Sequence, residues 1–264
     1  KIFLLRLYHF PGSFVNDPGH PITMKYILLA FLLINTGKLK AQIIDSLNTA
    51  KNCAYMKPEE REMIYELNRL RSSPKSYLPY IEPLLKTAKN ILKNFGKGSR
   101  TYSLTYTTST KNGQETKKID TNWHYSNIEE VNALSTLVND LRKIKRLSVL
   151  QPDSGVYNAA QKHAKDQDAH EWGLMHTGTD GSSPWDRITR FSPSMSFGNE
   201  NIAGRSGMEV TARAFIIQLL IDSGIPGYGH RYNILDPQWT HAGCVMTKSK
   251  GMDWCIQNFG AKKK

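Results

Sequence analysis

Four residues with metal-binding or acid–base side chains stand beside glycine-rich turns in the second half of the chain. His176 lies in MHTGTDG, Glu200 in GNENIAG, and Asp222 and His230 in IDSGIPGYGHRYNIL. Binding and catalytic groups often occupy such positions at the ends of regular elements. Two imidazoles and two carboxylates suit a divalent metal, most readily zinc.

The same four groups allow two other interpretations. Without a metal, a carboxylate could orient one histidine, which would then act as a general base. The four side chains could also form a polar network that only holds the loops together. Because composition does not show that the residues converge, all three interpretations stay open at this point.

Several familiar catalytic signatures are absent from the sequence. It contains no G-x-S-x-G nucleophile motif, no Walker loop and no C-x-x-C pair. HEWGLMH resembles a zinc-protease motif, but His170 and His176 are six residues apart instead of four. On one helix that spacing points the two side chains to roughly opposite sides. We therefore predict a surface or structural role for His170.

The composition is that of a folded, strongly basic protein. The 264 residues are 39% hydrophobic and 10% aromatic, and the formal net charge is +12. Such a charge permits anionic partners without specifying one. No basic run is interleaved with aromatic residues, and no zinc-finger or RNA-binding signature occurs, so we predict no nucleic-acid partner.

The N-terminal segment predicts export. After Met24, Lys25 precedes an apolar stretch from Tyr26 to Ile34 that is too short to span a membrane. A polar segment then ends at Ala41, as in a secretory signal peptide. We interpret residues 1–23 as an upstream extension, 24–41 as the signal peptide and 42–57 as a lead-in. The mature protein is then secreted or held in the periplasm or cell envelope, without a transmembrane segment.

Apolar periodicity predicts a helix-rich domain over residues 58–264. Helices are expected at about 58–73, 76–95, 128–147, 153–171 and 208–223, and strands at His241–Thr247 and Trp254–Phe259. Residues 96–123 are polar and threonine-rich, and their Lys-Asn-Gly sequence predicts a hairpin within an exposed insertion. Helices combined with late strands favour an α+β or a layered α/β/α architecture.

Two of the three cysteines lie on the predicted final hairpin. A turn at Ser249–Lys250 would place Cys244 opposite Cys255. A disulfide there and a pair of small buried hydrophobic residues are both open. Cys53 remains single in either case.

The ordered motifs LMHTGTDGSSPWDRI, FGNENIAG, FIIQLLIDSGIPGYGHRYNIL and AGCV…CIQNFG resemble the CAP superfamily, the SCP-like extracellular proteins, in its bacterial branch. The resemblance covers about 126–260 and, more weakly, the helix at 59–72. It implies a three-layer α-β-α sandwich with a central antiparallel sheet. It also implies a cleft lined by His176, Glu200, Asp222 and His230.

Two departures from the family pattern bear on function. Asp222 stands where many members have glutamate, so its reach to a shared ion is shorter by one methylene. The chain also lacks the many disulfides of eukaryotic members, so their sterol- and lipid-binding roles are not carried over.

We therefore predict an exported CAP-domain protein whose cleft binds a divalent cation, a small-molecule, peptide or protein ligand, or both. His176 and His230 are the first choice as metal ligands, with Glu200 and Asp222 beside them. One alternative is a peptidase-like hydrolase that uses the same cleft. Another is an interaction module at the cell envelope or a host surface.

Other polar residues receive local roles. Asp186 and Arg187 are expected to pair or cap locally, and Arg231 to anchor its loop. Asn199 and Asn201 are expected to bond loop backbone. Structural roles are assigned to His124, His163 and His241.

Overall fold

The computed structural model describes residues 46–111, 114–169, 175–206, 210–249 and 251–262, without the side chains of 101–122 and 168–169. The predicted extension and signal peptide lie outside these residues, as do residues 42–45 of the lead-in. The predicted boundaries of these N-terminal segments therefore remain predictions.

The described residues form seven α-helices. Most coincide with the predicted helices, and two short ones that flank the candidate site were not predicted, namely α5 and α7. The helices are α1 (Pro58–Ser72), α2 (Leu78–Phe95), α3 (Ser126–Lys143), α4 (Ser154–Ala169), α5 (Pro184–Phe191), α6 (Ala212–Ile221) and α7 (Gly229–Leu235).

Helix α1 shows how the sequence sets these boundaries. Pro58 occupies the first turn, where a missing N–H is tolerated. The Glu60 carboxylate accepts the N–H of Lys57 at 2.8 Å, which caps the helix start. Apolar residues at helical spacing then become fully buried, among them Met63, Ile64 and Leu67.

Six strands form two sheets within the described residues. They are β1 (Arg100–Lys111), β2 (Gln114–Tyr125), β3 (Gln151–Pro152), β4 (Met195–Arg205), β5 (His241–Ser249) and β6 (Met252–Lys262). The larger sheet has the order β3-β5-β6-β4. Its three long strands are antiparallel, as the resemblance implies, while the two-residue β3 runs parallel to β5. The sheet is therefore mixed at one edge.

Helices cover both faces of the larger sheet, which gives an α-β-α sandwich. On one face α4 packs so closely that a Cβ at Gly243 of β5 would lie 2.2 Å from the Tyr157 nitrogen. On the other face, Gln257 of β6 contacts Met63 of α1. Adjacent residues of β4 point to the two faces in turn, so this strand presents side chains to both helical layers.

The predicted insertion forms a sheet of its own. Strands β1 and β2 pair antiparallel along twelve residues each, from Arg100 with Tyr125 to Lys111 with Gln114. The two connecting residues lie outside the described part. The hairpin prediction from the Lys-Asn-Gly sequence is confirmed.

The predicted register of the final hairpin is wrong by two residues. Cys244 pairs with Gln257 and Cys255 with Met246, because the turn centres near Gly251. Both thiols are free and fully buried, so they are small core residues. Burial raises the pKa of Cys244 and that of Cys255.

No helix among the described residues is both long and apolar enough to cross a membrane.

Candidate functional site

The first half of the candidate site is a pair formed by His176 and Glu200. Glu200 lies within β4, not in the glycine-rich turn that the sequence indicated, and its side chain is fully buried. His176 lies in the loop before α5, with its side chain about half exposed. The His176 Nδ1 atom is 3.1 Å from Glu200 Oε1. Because a carboxylate only accepts, this contact places the ring proton on Nδ1 and leaves the Nε2 lone pair free.

Arg187 hydrogen-bonds to both residues of this pair. Its side chain is fully buried, and Nη2 donates to both Glu200 oxygens at 3.1 and 3.0 Å. The same Nη2 donates to the carbonyl oxygen of His176 at 3.0 Å. One guanidinium therefore compensates the charge of the buried Glu200 carboxylate. It also fixes the backbone of His176, whose ring that carboxylate orients.

Helix α5 holds Arg187 in place. The Ser183 hydroxyl accepts the N–H of Asp186 at 3.2 Å, while Asp186 Oδ2 accepts the N–H of Ser183 at 2.9 Å. This reciprocal cap stabilises the first turn of the helix. The local role predicted for Asp186 is confirmed, whereas Arg187 reaches the candidate site itself.

His163 is a member of the cluster that the sequence did not identify. It is fully buried on α4, with Nε2 2.7 Å from the carbonyl oxygen of Met175 and 3.5 Å from Glu200 Oε1. Burial lowers the pKa of His163, so the ring is neutral near pH 7. Its contact with Met175 fixes the residue just before His176. The sequence carried one signal, because a histidine among the alanines of a buried helical face needs a polar partner.

The second half of the site is the pair formed by Asp222 and His230. Asp222 ends helix α6 in the left-handed conformation, with φ of 55°. Its Oδ1 lies 2.7 Å from His230 Nδ1, and its Oδ2 accepts the backbone N–H of His230 at 2.9 Å. This carboxylate also holds the ring proton on Nδ1 and leaves Nε2 free.

Glycines in the connecting loop explain only part of this turn. Gly224 and Gly227 have φ near 78° and 76°, which a residue with a Cβ rarely adopts. Gly229, in contrast, has an ordinary helical conformation and begins α7. The non-glycine residues in left-handed conformations are Asp222 and Tyr228.

Arg231 anchors this loop, as the sequence indicated. It is fully buried and donates to the carbonyl oxygens of Leu220, Ile221 and Ala133, and to the Asp140 carboxylate at 3.1 Å. The guanidinium is thus used for structure, and His230 beside it keeps a fixed position.

Strand β4 connects the two pairs. Glu200 accepts from His176 on one face of the sheet, and the next residue, Asn201, donates to the carbonyl oxygen of His230 at 3.2 Å on the other face. Consecutive Cα atoms are about 3.8 Å apart. The loop that carries His176 and the helix α7 that carries His230 are therefore attached to adjacent positions of one strand. The bond predicted for Asn201 to loop backbone is confirmed.

Every oxygen of the two carboxylates already accepts a hydrogen bond. Each Glu200 oxygen accepts from Arg187, and each Asp222 oxygen accepts from His230. Within the described residues no group of three or more His, Cys, Asp or Glu side chains is arranged as a metal site. The donors that remain available are the Nε2 atoms of His176 and His230.

Comparison with known proteins identifies the fold family. The sequence profile of the cysteine-rich secretory protein family, CAP, matches residues 136–259. The chain carries a CAP domain. The matched residues include all four predicted site residues together with His163, Arg187 and Arg231. The resemblance stated from the motifs is confirmed, as is the layered α+β fold of the CAP domain.

Two solved structures are similar to this chain at low identity. One is an outer surface protein from Borrelia burgdorferi, with 22% identity and a TM-score of 0.38, covering 51% of this chain and 94% of that one. The other is an extracellular protein containing a SCP domain from Bacillus anthracis, with 22% identity and a TM-score of 0.37, covering 52% of this chain and 39% of that one. A comparison with curated proteins finds none that matches.

Proposed function

We propose that the CAP domain binds a divalent cation, zinc in the first place, through His176 and His230. One observation carries the proposal. In both pairs a buried carboxylate accepts from Nδ1, at 3.1 Å in the first pair and 2.7 Å in the second. Metal-binding histidines usually donate their second ring nitrogen to a carboxylate in this way.

The two acids have different roles from the two histidines in this proposal. Glu200 and Asp222 fix the tautomer and direction of each ring and make its Nε2 more basic. Water or a ligand would complete the coordination, since zinc in proteins is usually four-coordinate. A bound zinc would supply a Lewis acid there, which can bind the carboxylate or carbonyl oxygen of a small-molecule, peptide or protein ligand.

The site also has accessible imidazoles. The side chain of His176 is 52% exposed and that of His230 is 21% exposed, whereas both carboxylates are buried. A ligand can therefore reach the rings without displacing the groups that orient them. The signal-type segment at 24–41 supports export of the protein to a compartment outside the cytoplasm.

Zinc titration calorimetry on the variants His176→Ala and His230→Ala tests this function. Each substitution is expected to weaken binding at least tenfold, and the double variant to abolish it. His124→Ala is the matched control, because His124 also pairs with a carboxylate, Glu129, at 2.7 Å but lies outside the site. Equal zinc affinity in the wild type and the double variant would contradict the proposal.

The same geometry supports hydrolysis as a second candidate function. In each pair a buried carboxylate orients an imidazole whose Nε2 can accept a proton from water, as a general base requires. Digestion of a peptide library by wild-type protein and by Glu200→Gln tests this candidate. Cleavage that depends on Glu200 would support a hydrolase, and equal background cleavage would remove it.

A further inference from the structure

Six exposed cations are concentrated on helix α2 and at the end of helix α3, and form a surface that we call the basic face. Their six positive charges equal half of the formal net charge of +12. Within the part of the chain that the structure describes, none of the six forms an ion pair. The residues are Lys86, Lys89, Lys93, Lys143, Lys145 and Arg146.

Contacts between α2 and α3 bring the two parts of the basic face together. At one end of the helices, the Asn127 side chain donates to the carbonyl oxygen of Gly96 at 2.8 Å. At the other end, Arg142 Nη2 donates to Glu82 Oε1 at 2.7 Å. The helices therefore run antiparallel and side by side, and the side of α2 that carries Glu82 lies next to the C-terminal end of α3.

Each helix contributes half of the basic face. The three lysines of α2 follow Glu82 at spacings of four, three and four residues, so they share its side of the helix. The other three cations lie within four residues of one another where α3 ends. This second segment is fixed to the end of α1, because the Leu147 N–H donates to the carbonyl oxygen of Arg71 at 2.8 Å.

The acidic side chains of the two helices do not neutralise the basic face. Glu82 is the only acid of α2, and its carboxylate already pairs with Arg142. On α3, Asp140 pairs with the buried Arg231, and the two glutamates lie near the opposite, N-terminal end of the helix. The basic face therefore presents a concentrated positive charge to the solvent.

The residue types on the basic face favour an anionic lipid surface as its partner. Five of the six cations are lysines, whose point charges on flexible stems suit the diffuse charge of lipid headgroups. Recognition of a single phosphate or carboxylate usually relies on the planar fork of arginine. Proteins that bind single-stranded nucleic acids add aromatic side chains for stacking, and the basic face has none.

We propose that the basic face binds the surface of a lipid bilayer that contains anionic lipids. The proposal goes beyond metal binding by His176 and His230 and does not depend on it. Each basic residue close to such a surface strengthens binding about fivefold, and the effect falls off within about 10 Å. The three lysines of α2 span about 10 Å along the helix axis, so they can approach the surface together.

Cosedimentation of the full chain with lipid vesicles tests the proposal. Phosphatidylcholine vesicles that contain about 30% phosphatidylglycerol are expected to bind the wild type more tightly than pure phosphatidylcholine vesicles, and about 0.5 M salt is expected to remove the difference. Replacing three lysines together, Lys86→Gln, Lys89→Gln and Lys93→Gln, is expected to weaken binding to the anionic vesicles about a hundredfold. Equal binding of the wild type to both kinds of vesicle would overturn the proposal.

A second triple variant removes the same charge outside the basic face. Lys165, Lys248 and Lys262 are exposed and lie on α4, β5 and β6, and their replacement by glutamine is expected to weaken binding less than about threefold. Residues 1–45 are the same in both triple variants, so any contribution of that segment cancels. Equal losses in the two variants, or no loss in either, would contradict the assignment. Tighter binding to poly-glutamate than to the anionic vesicles, lost in the first variant, would assign the basic face to an acidic chain instead.

Acetylation of lysines in the wild type provides a second measurement that does not depend on how the variants fold. Anionic vesicles are expected to slow modification of the five lysines of the basic face, while Lys165, Lys248 and Lys262 react at an unchanged rate. Protection that is absent, or equal in the two sets of lysines, would also overturn the proposal.

Discussion

At the scale of single residues, the central feature is that two buried carboxylates each hold one accessible histidine. The sequence alone made all four residues candidates, because their motifs occur in a recognisable order. It made His176 and His230 the first choice as metal ligands, with Glu200 and Asp222 beside them, but it did not give the contacts of the two acids. Both oxygens of Glu200 accept hydrogen bonds from Arg187, and both oxygens of Asp222 accept them from His230. Arg187 lies 13 residues from Glu200, and His230 lies 8 residues from Asp222, with irregular backbone between the partners in each case, so no regular spacing could reveal these contacts.

Arg187 is expected to contribute to the stability of the fold as well as to the position of His176 and Glu200. Replacing it with methionine leaves the Glu200 carboxylate buried and uncompensated, which costs about 3–5 kcal/mol. Arg187→Lys keeps the charge but not the shared Nη2 contact, so an intermediate loss is expected. Urea unfolding of both variants measures these changes.

Arg190→Met is the control for that prediction. Arg190 lies one turn along the same helix, but its side chain is 54% exposed and pairs with Asp180 at the surface. Exposed pairs contribute about 0–1 kcal/mol. A loss in Arg190→Met as large as in Arg187→Met would contradict the role assigned to the buried guanidinium.

At the scale of elements, the strongly periodic helices, including the helix that ends at Asp222, and the final strands could be predicted, whereas α5, α7 and β4 could not. α5 and α7 have eight and seven residues, too few for a clear apolar period. β4 contains Gly198 and Gly204, which suggested turns. Gly204 is required because Trp254 packs 2.5 Å from the position that its Cβ would take. This glycine allows a tertiary contact and marks no loop.

At Asp222, in the α6–α7 loop, one substitution can distinguish the backbone conformation of the residue from the role of its side chain. Asp222→Gly suits the left-handed backbone at this position but removes the carboxylate that orients His230. We expect a change in unfolding free energy of less than about 1 kcal/mol, because relief of strain offsets the lost hydrogen bonds. Zinc affinity, in contrast, is expected to fall several-fold.

Calorimetric zinc binding and urea unfolding of the same Asp222→Gly sample distinguish the two effects. Unchanged zinc affinity with a fully folded protein would show that Asp222 does not orient His230 for binding. A parallel collapse of stability and affinity would instead assign Asp222 to the fold.

At the scale of the whole molecule, one buried ion cluster joins α1, α6 and the segment before α2. Glu66 is almost fully buried and accepts hydrogen bonds from Arg213 and from the Tyr77 hydroxyl. Burial alone would raise the pKa of Glu66, but these hydrogen bonds and charges outweigh it and lower the pKa below its usual 4.5. The ionised form is therefore the one that stabilises the fold.

This shift predicts the acid side of the stability curve. A carboxylate with a lowered folded-state pKa contributes its full stability above about pH 4.5 and loses it as the pH falls through the folded-state value. Glu66→Gln should cost about 1–3 kcal/mol at pH 7, since both neighbouring arginines are partly exposed and screened by water. It should also flatten the fall in unfolding free energy between about pH 5 and pH 3. A variant with the same acid dependence as the wild type would contradict the role of Glu66.

The most direct test of the central claim is X-ray absorption spectroscopy at the zinc edge on protein loaded with one equivalent of zinc. The account predicts two imidazole ligands at about 2.0–2.1 Å, recognised by scattering from the ring atoms, with oxygen ligands completing the shell. The imidazole signal should halve in either His176→Ala or His230→Ala and be unchanged in His124→Ala. A spectrum without histidine scattering, or one unchanged by loss of both histidines, would contradict the assignment of this site.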